Sequence, residues 1–357
     1  MPIPPNVMGR LRQAYLGNDA RNLMLYQNLS RVLKILRHNS IPVIVLKGAH
    51  LAELVYGHRA LRFMSDLDLL VKKDDLMRVD ALLLELGCTT TVHNRIAGKD
   101  NNQFDYLMPT RDVIMEIHWS ILSSLFPFRI DTDGQWKRSR PVAIAGIDAA
   151  VLCPEDLLLH LCLHASCTHG FDPGLRLFCD ISEVLQQDGG GMDWGLVQRL
   201  TREWGIGKSV YLTLHLTKEL LGVASPEGLM EELKPNDFDE HIVALARGQI
   251  FSRRVRTGPP LSLWRRHVAR FWGSARLRDK VLLFLKGFFL PRDGMALLYP
   301  APADSIRIYF YYVVRLRDLL RLFGSGVWRL LRRDKEMQAF AKEGKDLTAL
   351  KDWLMSP

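Results

Sequence analysis

The residues best suited to chemistry lie in one stretch, Ile41 to Val71, which reads IPVIVLKGAHLAELVYGHRALRFMSDLDLLV. Asp66 and Asp68 stand two apart inside an apolar run. In a strand, residues i and i+2 point to the same face, so the two carboxylates converge while Leu67 and Leu69 face the core. Carboxylates that close repel one another, and a site that holds them together brings in a cation or raises one pKa. Magnesium, with hard oxygen ligands and substrate phosphates, is the natural occupant, and manganese is the alternative.

A shorter apolar run, Val43 to Leu46, leads into the turn Lys47-Gly48-Ala49, and a helix-like LAELVYG segment follows. Two buried strands therefore bracket one active-site turn. Gly48 lets a ligand approach the backbone, and the helix start near Ala49 to Leu51 favours anions. Lys47 and Arg62 are the candidates for phosphate contacts. Lys47 ends a strand at the turn, where a point charge suits a phosphate. Arg62 precedes the Asp-x-Asp strand and is equally well placed to pair with Asp66.

Gly48 in a strand-to-helix turn, followed by the strand carrying Asp66 and Asp68, resembles the signature of the nucleotidyltransferase superfamily that includes DNA polymerase beta, aminoglycoside nucleotidyltransferases and nucleotidyltransferase-like toxins. The wording LKGAHLAELVYG with RFMSDLDLLV is most similar to a bacterial family of largely uncharacterised nucleotidyltransferases. The resemblance is clearest from about Ile41 to Trp119 and extends less specifically beyond Val151. It implies an NTP substrate, ATP by default, an unknown acceptor (small molecule, protein or RNA), and catalytic metal ligands Asp66, Asp68 and, on a neighbouring strand, Glu116. One departure stands out. The superfamily has Gly-Gly or Gly-Ser at the turn, whereas this chain has Gly48-Ala49, so Lys47 or backbone N–H groups take the place of the serine hydroxyl.

The elements that must position these residues follow from periodicity. Residues 19–38 place Leu23, Tyr26, Leu29, Val32, Leu33 and Leu36 on a helical stripe, ended by Asn39-Ser40 and Pro42. LMRVDALLLELG reads as an amphipathic helix, CTTTVH as a strand, RIAGKDNN as a loop, and QFDYLMP and VIMEIHW as strands joined by Thr110-Arg111-Asp112. Within VIMEIHW, Glu116 and His118 share a face, which makes His118 a candidate substrate contact. PFRIDTDGQWKRSR reads as a loop and PVAIAGI as an edge strand opened by proline. The predicted fold is α+β: a mixed sheet flanked by helices on one side, then a mostly helical region. The predicted divisions are 1–40, an N-terminal helical segment; 41–150, the catalytic domain; and 151–357, a helical domain with a basic C-terminal part.

From Pro154 the period becomes helical. His160 and His164 lie four apart on one helical face, a zinc-type spacing. No H-E-x-x-H glutamate accompanies them and the helix is otherwise apolar, which favours core or substrate-contact histidines. Arg176 and Asp180 form an i, i+4 pair that an exposed helix surface accommodates, and the resemblance gives them a second role facing the cleft. Gly189-Gly190-Gly191 is not a phosphate loop, since no strand precedes it.

Composition sets the outer bounds. The 357 residues suffice for two domains, and 48 % apolar with 24 % charged residues excludes general disorder. The five cysteines are odd in number and fall mostly within predicted helices, which favours free buried thiols. The N-terminal residues lack a signal-peptide layout, and the longest apolar run, 281–290, is too short to cross a bilayer; a cytoplasmic protein without a transmembrane segment is expected. Residues 251–335 hold 19 Lys or Arg against 5 Asp or Glu, more than the whole chain's net +9. That excess suits nucleic acid, anionic lipid or polyphosphate as well as a solvated arginine-rich surface. Three functions fit: an active nucleotidyltransferase, a catalytically silent nucleotide-binding module of the same fold, and an RNA- or membrane-surface-binding protein.

Overall fold

A computed structural model describes residues 3–90, 102–110, 113–172, 174–223, 225–251, 290, 292, 295–296, 299–302, 304–331 and 335–356. Residues 91–93 of the predicted CTTTVH strand, nearly all of the RIAGKDNN loop, Arg111-Asp112, and the whole basic and apolar stretch 252–289 lie outside them. The chain forms two compact units, residues 1–168 with 176–235, and residues 169–175 with 236–357.

The first unit holds a seven-stranded mixed sheet: β1 (Val43–Val45), β2 (Asp66–Val71), β3 (Thr89–Thr90), β4 (Gln103–Leu107), β5 (Ile114–His118), β6 (Arg140–Ile144) and β7 (Ile147–Val151). The strand order is β3-β4-β5-β2-β1-β7-β6. β1 pairs antiparallel with β2 and parallel with β7, and β2 pairs parallel with β5. The two strands predicted to bracket the turn are therefore central neighbours. β6 forms the sheet's edge, as its Pro141 requires, since proline cannot donate to a ladder.

Helix α1 (Pro5–His38) begins fourteen residues before the predicted start at residue 19, with Pro5 at its first position. The N-terminal prolines open this helix rather than breaking it. Its buried stripe comprises Leu25, Tyr26, Leu29, Val32, Leu33 and Leu36, whereas Leu23 is exposed. These residues meet Val43, Val45, Leu67, Leu69 and Val71 from one sheet face and Val79 and Leu83 from α3 (Leu76–Glu85). The short α2 (Lys47–His50), between β1 and β2, continues as one wide turn to Val55.

The opposite sheet face carries Ile44, Asp66, Asp68, Leu70, Glu116 and His118. Ile44, Leu46 and Leu70 are fully buried, and α5 (Pro154–Leu163) brings His160 within electrostatic reach of Lys47, His118 and Asp68. Helices thus cover both faces of the sheet, not one as the element order suggested. The region read as a loop contains α4 (Thr132–Arg138), capped by Asp131, whose side chain accepts from the Gly134 N–H at 2.8 Å. PVAIAGI is likewise not one strand. Ala145 and Gly146, both at positive φ, form the two-residue turn of a β6–β7 hairpin.

Helices α6 (Arg176–Asp188), α7 (Trp194–Trp204), α8 (Gly207–Leu221) and α9 (Glu227–Leu233) complete this unit. In the second unit, α10 (Glu240–Ile250), α11 (Arg307–Leu331) and α12 (Lys335–Met355) are described. On α11, Ile308 is buried with Met295 and Ala301, but Tyr309, Phe310 and Val313 are exposed. All five cysteines are free, four of them buried. Among the described residues no helix is long and apolar enough to cross a membrane.

Candidate active site

The site grows from the parallel register of β2 and β5, which sets Asp68 opposite Glu116 and Leu70 opposite His118. Alternation turns Leu67 and Leu69 into the core and leaves Asp66 and Asp68 on the face shared with Glu116 and His118. His118 Nε2 lies 3.0 Å from Asp68 Oδ1 and 3.3 Å from Glu116 Oε2. Lys47 Nζ lies 2.7 Å from the same Asp68 oxygen. Asp68, Glu116 and His118 offer ligand atoms that all lie within 4.8 Å of one another, close enough to hold one metal ion.

The electrostatics separate the two aspartates. Burial works against ionisation of Asp68, but Lys47 and then His118 overcome it and hold this carboxyl well below the usual range. Burial also opposes charge on Lys47 and His118. Asp68, with Glu116 and Asp66, keeps the Lys47 pKa raised, and hydrogen bonds to Asp68 and Glu116 raise that of His118. Lys47 and a hydrogen bond with Ser65 compensate Asp66 only in part. Burial, followed by repulsion from Asp68 and Glu116, pushes it up to about 6, which marks a carboxylate short of positive charge.

Gly48 is needed for close approach, because a Cβ there would come within 3.2 Å of both Arg62 Nη1 and Met64 Sδ. The left-handed backbone falls instead on Lys47, at φ 36°. Ala49 turns its methyl into the core, and its carbonyl accepts from Tyr26 Oη at 2.7 Å.

Arg62 does not pair with Asp66. It binds Asp180 of α6 in bidentate fashion, Nε to Oδ1 and Nη2 to Oδ2 at 2.8 Å each, and Tyr56 donates to the same carboxylate at 3.0 Å. Asp180 is fully buried, so the expected surface role beside Arg176 is replaced by a buried fork joining the turn region to α6. Arg176 stands 5.9 Å from the centre of the Phe63 ring, and His164 begins a wide turn after α5 with its ring 6.1 Å from that of His160. The structure thus gathers Lys47, Asp66, Asp68, Glu116 and His118 into one cluster and Gly48, Arg62 and Asp180 into a second beneath the turn.

Sequence reading missed His50 and Tyr56 and gave His160 no electrostatic role. Burial and Arg140 lower His50 to about 3, and burial with Lys47 and His118 holds His160 well below the ordinary histidine range. Nδ1 of His50, His118 and His160 has no hydrogen-bond partner. A polar residue every few positions in an otherwise apolar helix was the available signal for His160; none existed for Tyr56.

A mixed sheet that joins carboxylates from two parallel neighbouring strands beside a glycine turn defines a nucleotidyltransferase-type domain. The chain belongs to the uncharacterised nucleotidyltransferase family, whose profile matches residues 2–222. No curated protein matches it. Two solved structures of the antibiotic-resistance factor ANT(2'')-Ia are similar over half of this chain. A solution structure described as showing substrate-regulated conformation dynamics matches at 13 % identity and TM-score 0.37 over 90 % of its length. A crystal structure in complex with adenylyl-2''-tobramycin matches at 12 % identity and TM-score 0.37 over 95 % of its length.

Proposed function

We propose that the protein moves a nucleoside monophosphate from an NTP, ATP by default, to the hydroxyl of an acceptor. The observation that carries this reading is the register of Asp68 against Glu116 on parallel neighbouring strands, with Asp66 on the same face and Lys47-Gly48 at the end of the adjoining strand.

The donor set fits a divalent cation. Two carboxylates and an imidazole lie within ligand distance of one another, and Asp66 is a third carboxylate whose charge is only partly compensated. Asp66, Asp68 and Glu116 would hold the metal, whether one ion or the two that a two-metal mechanism uses. Magnesium satisfies the carboxylates, and the imidazole nitrogen of His118 favours manganese as the alternative. Bound there, the metal would neutralise triphosphate charge and lower the pKa of the acceptor hydroxyl.

The chain's own residues do the positioning. The acceptor oxygen forms a bond to the α-phosphorus as pyrophosphate leaves, and the hydroxyl proton passes to a carboxylate or to solvent. Lys47 supplies positive charge beside Gly48, where the phosphates would lie, while Arg62, paired with Asp180, braces the turn from beneath. Such chemistry needs alignment and charge neutralisation more than covalent help from the protein.

The test is transfer of label from each of four α-labelled NTPs, with magnesium or manganese, into metabolites and macromolecules of a cell extract. Label with wild type and none with Asp66→Asn supports the reading and identifies nucleotide and acceptor class. Equal label from both proteins refutes it. A silent nucleotide-binding module is the second reading, favoured by the neutralisation of Asp68 by Lys47 and His118; it predicts NTP binding with no labelled product.

A further inference from the structure

Asp68 Oδ1 is shared. Lys47 Nζ approaches it to 2.7 Å and His118 Nε2 to 3.0 Å, and the Lys47 and Asp68 side chains are only 10 % and 4 % exposed. The same carboxylate belongs to the one group, among the described residues, whose geometry suits a metal ion. Lys47 also opens the turn at Gly48 with φ 36°, a backbone state that non-glycine residues keep only when their surroundings hold them there.

Resting on the nucleotidyltransferase reading, we propose that Lys47 is an exchangeable internal cation, passing from Asp68 to the triphosphate as a divalent metal takes its place, so that nucleotide and metal bind cooperatively. A divalent ion on Asp68 and Glu116 and an ammonium on Asp68 are like charges in a buried site, so each opposes the other. The opposition ends when an anion takes up the ammonium. A triphosphate at the turn that Lys47 opens is such an anion, and the exchange leaves both Asp68 and Lys47 with a counter-charge throughout. Linkage makes the coupling reciprocal: if nucleotide draws Lys47 away and tightens metal binding, metal tightens nucleotide binding by the same factor.

This role differs from two simpler ones. A lysine that only contacts phosphate would leave metal affinity unchanged when removed, and one that only supports the fold would weaken both ligands or neither. Exchange predicts opposite effects from a single substitution.

The experiment measures Mn2+ binding without nucleotide, from the electron paramagnetic resonance signal of free Mn2+, and binding of each of the four NTPs in EDTA by calorimetry. Wild type is compared with Lys47→Met, Lys47→Gln and Lys47→Arg, each checked for folding by circular dichroism and thermal melting. Lys47→Met and Lys47→Gln are expected to bind Mn2+ about tenfold more tightly, and the preferred NTP about tenfold less tightly, a coupling of ordinary size. Lys47→Arg keeps the charge and stays near wild type for Mn2+. Unchanged or weaker Mn2+ binding in the folded neutral variant, while wild type binds both ligands, overturns the exchange and leaves the nucleotidyltransferase reading intact. Wild type that binds neither Mn2+ nor any NTP overturns both.

Discussion

Replacing Asp66 by asparagine is expected to stabilise the metal-free protein at neutral pH while abolishing its function. In the folded chain the Asp66 pKa stands at about 6 against an ordinary 3.8. The native state therefore holds this proton more tightly than the unfolded chain does, and wild-type stability falls as pH rises between these values. Below about pH 4 the carboxyl is neutral in both states and no penalty exists; above about pH 6 the penalty is complete. The gap corresponds to about 3 kcal/mol as an upper bound, and about 1–2 kcal/mol after allowing for partial solvent screening of this half-buried group. Asparagine never ionises and escapes the penalty. Urea denaturation of wild type and Asp66→Asn in EDTA, from pH 3.5 to 8, should show a stability difference near zero at the acid end that grows through pH 4–6 and then levels off. Saturating Mn2+ should shrink the difference by stabilising wild type more than the variant, since a bound cation adds counter-charge beside Asp66. An asparagine variant no more stable than wild type at pH 7.5, or a difference independent of pH, would refute the reasoning.

Three further outcomes are expected. Arg62→Ala or Asp180→Ala, each leaving a buried charge unpaired, should cost about 3–5 kcal/mol by chemical denaturation, with much of that recovered when both positions are made apolar together. Gly48→Ala should lower stability by about 1–2 kcal/mol and nucleotide affinity with it, because the Arg62 guanidinium that the new methyl would meet is pinned by Asp180 and cannot yield. Asp131→Ala should cost about 1 kcal/mol through the lost cap of α4, leaving metal binding unchanged, as calorimetry and Mn2+ titration would show.

The sheet's centre was legible because β1 is an unbroken apolar run and β2 alternates Asp66 and Asp68 with Leu67 and Leu69, which fixed the side to which the aspartates turn. Glu116 and His118 were legible as a pair for the same reason, although their register against Asp68 is a tertiary fact. The α4 helix escaped notice because Asp131-Thr132-Asp133-Gly134 has the composition of a turn and reveals itself as a cap only when the Gly134 N–H is seen to be satisfied. Leu23 was taken for core and Leu25 missed because a long helix with leucines on several sides does not say which of them meets the sheet. The partner of Arg62 lay 118 residues away, beyond the reach of any local pattern. Its neighbour Asp66 was the nearer choice and the wrong one.

That distant pairing constrains how the protein can be cut and how it is made. A fragment ending near residue 150 would contain every strand of the sheet except the last residue of β7 and every carboxylate of the metal group, yet would leave a guanidinium under the Gly48 turn with no anion to receive it. Such a fragment should not behave as an autonomous catalytic module, and attempts at modular swapping would succeed only if the junction fell beyond α6. During synthesis the same dependence acts as a delay, because the nascent chain cannot finish the floor of its turn until Asp180 has emerged from the ribosome. The helices after the sheet are thus part of its construction rather than an appendage to it.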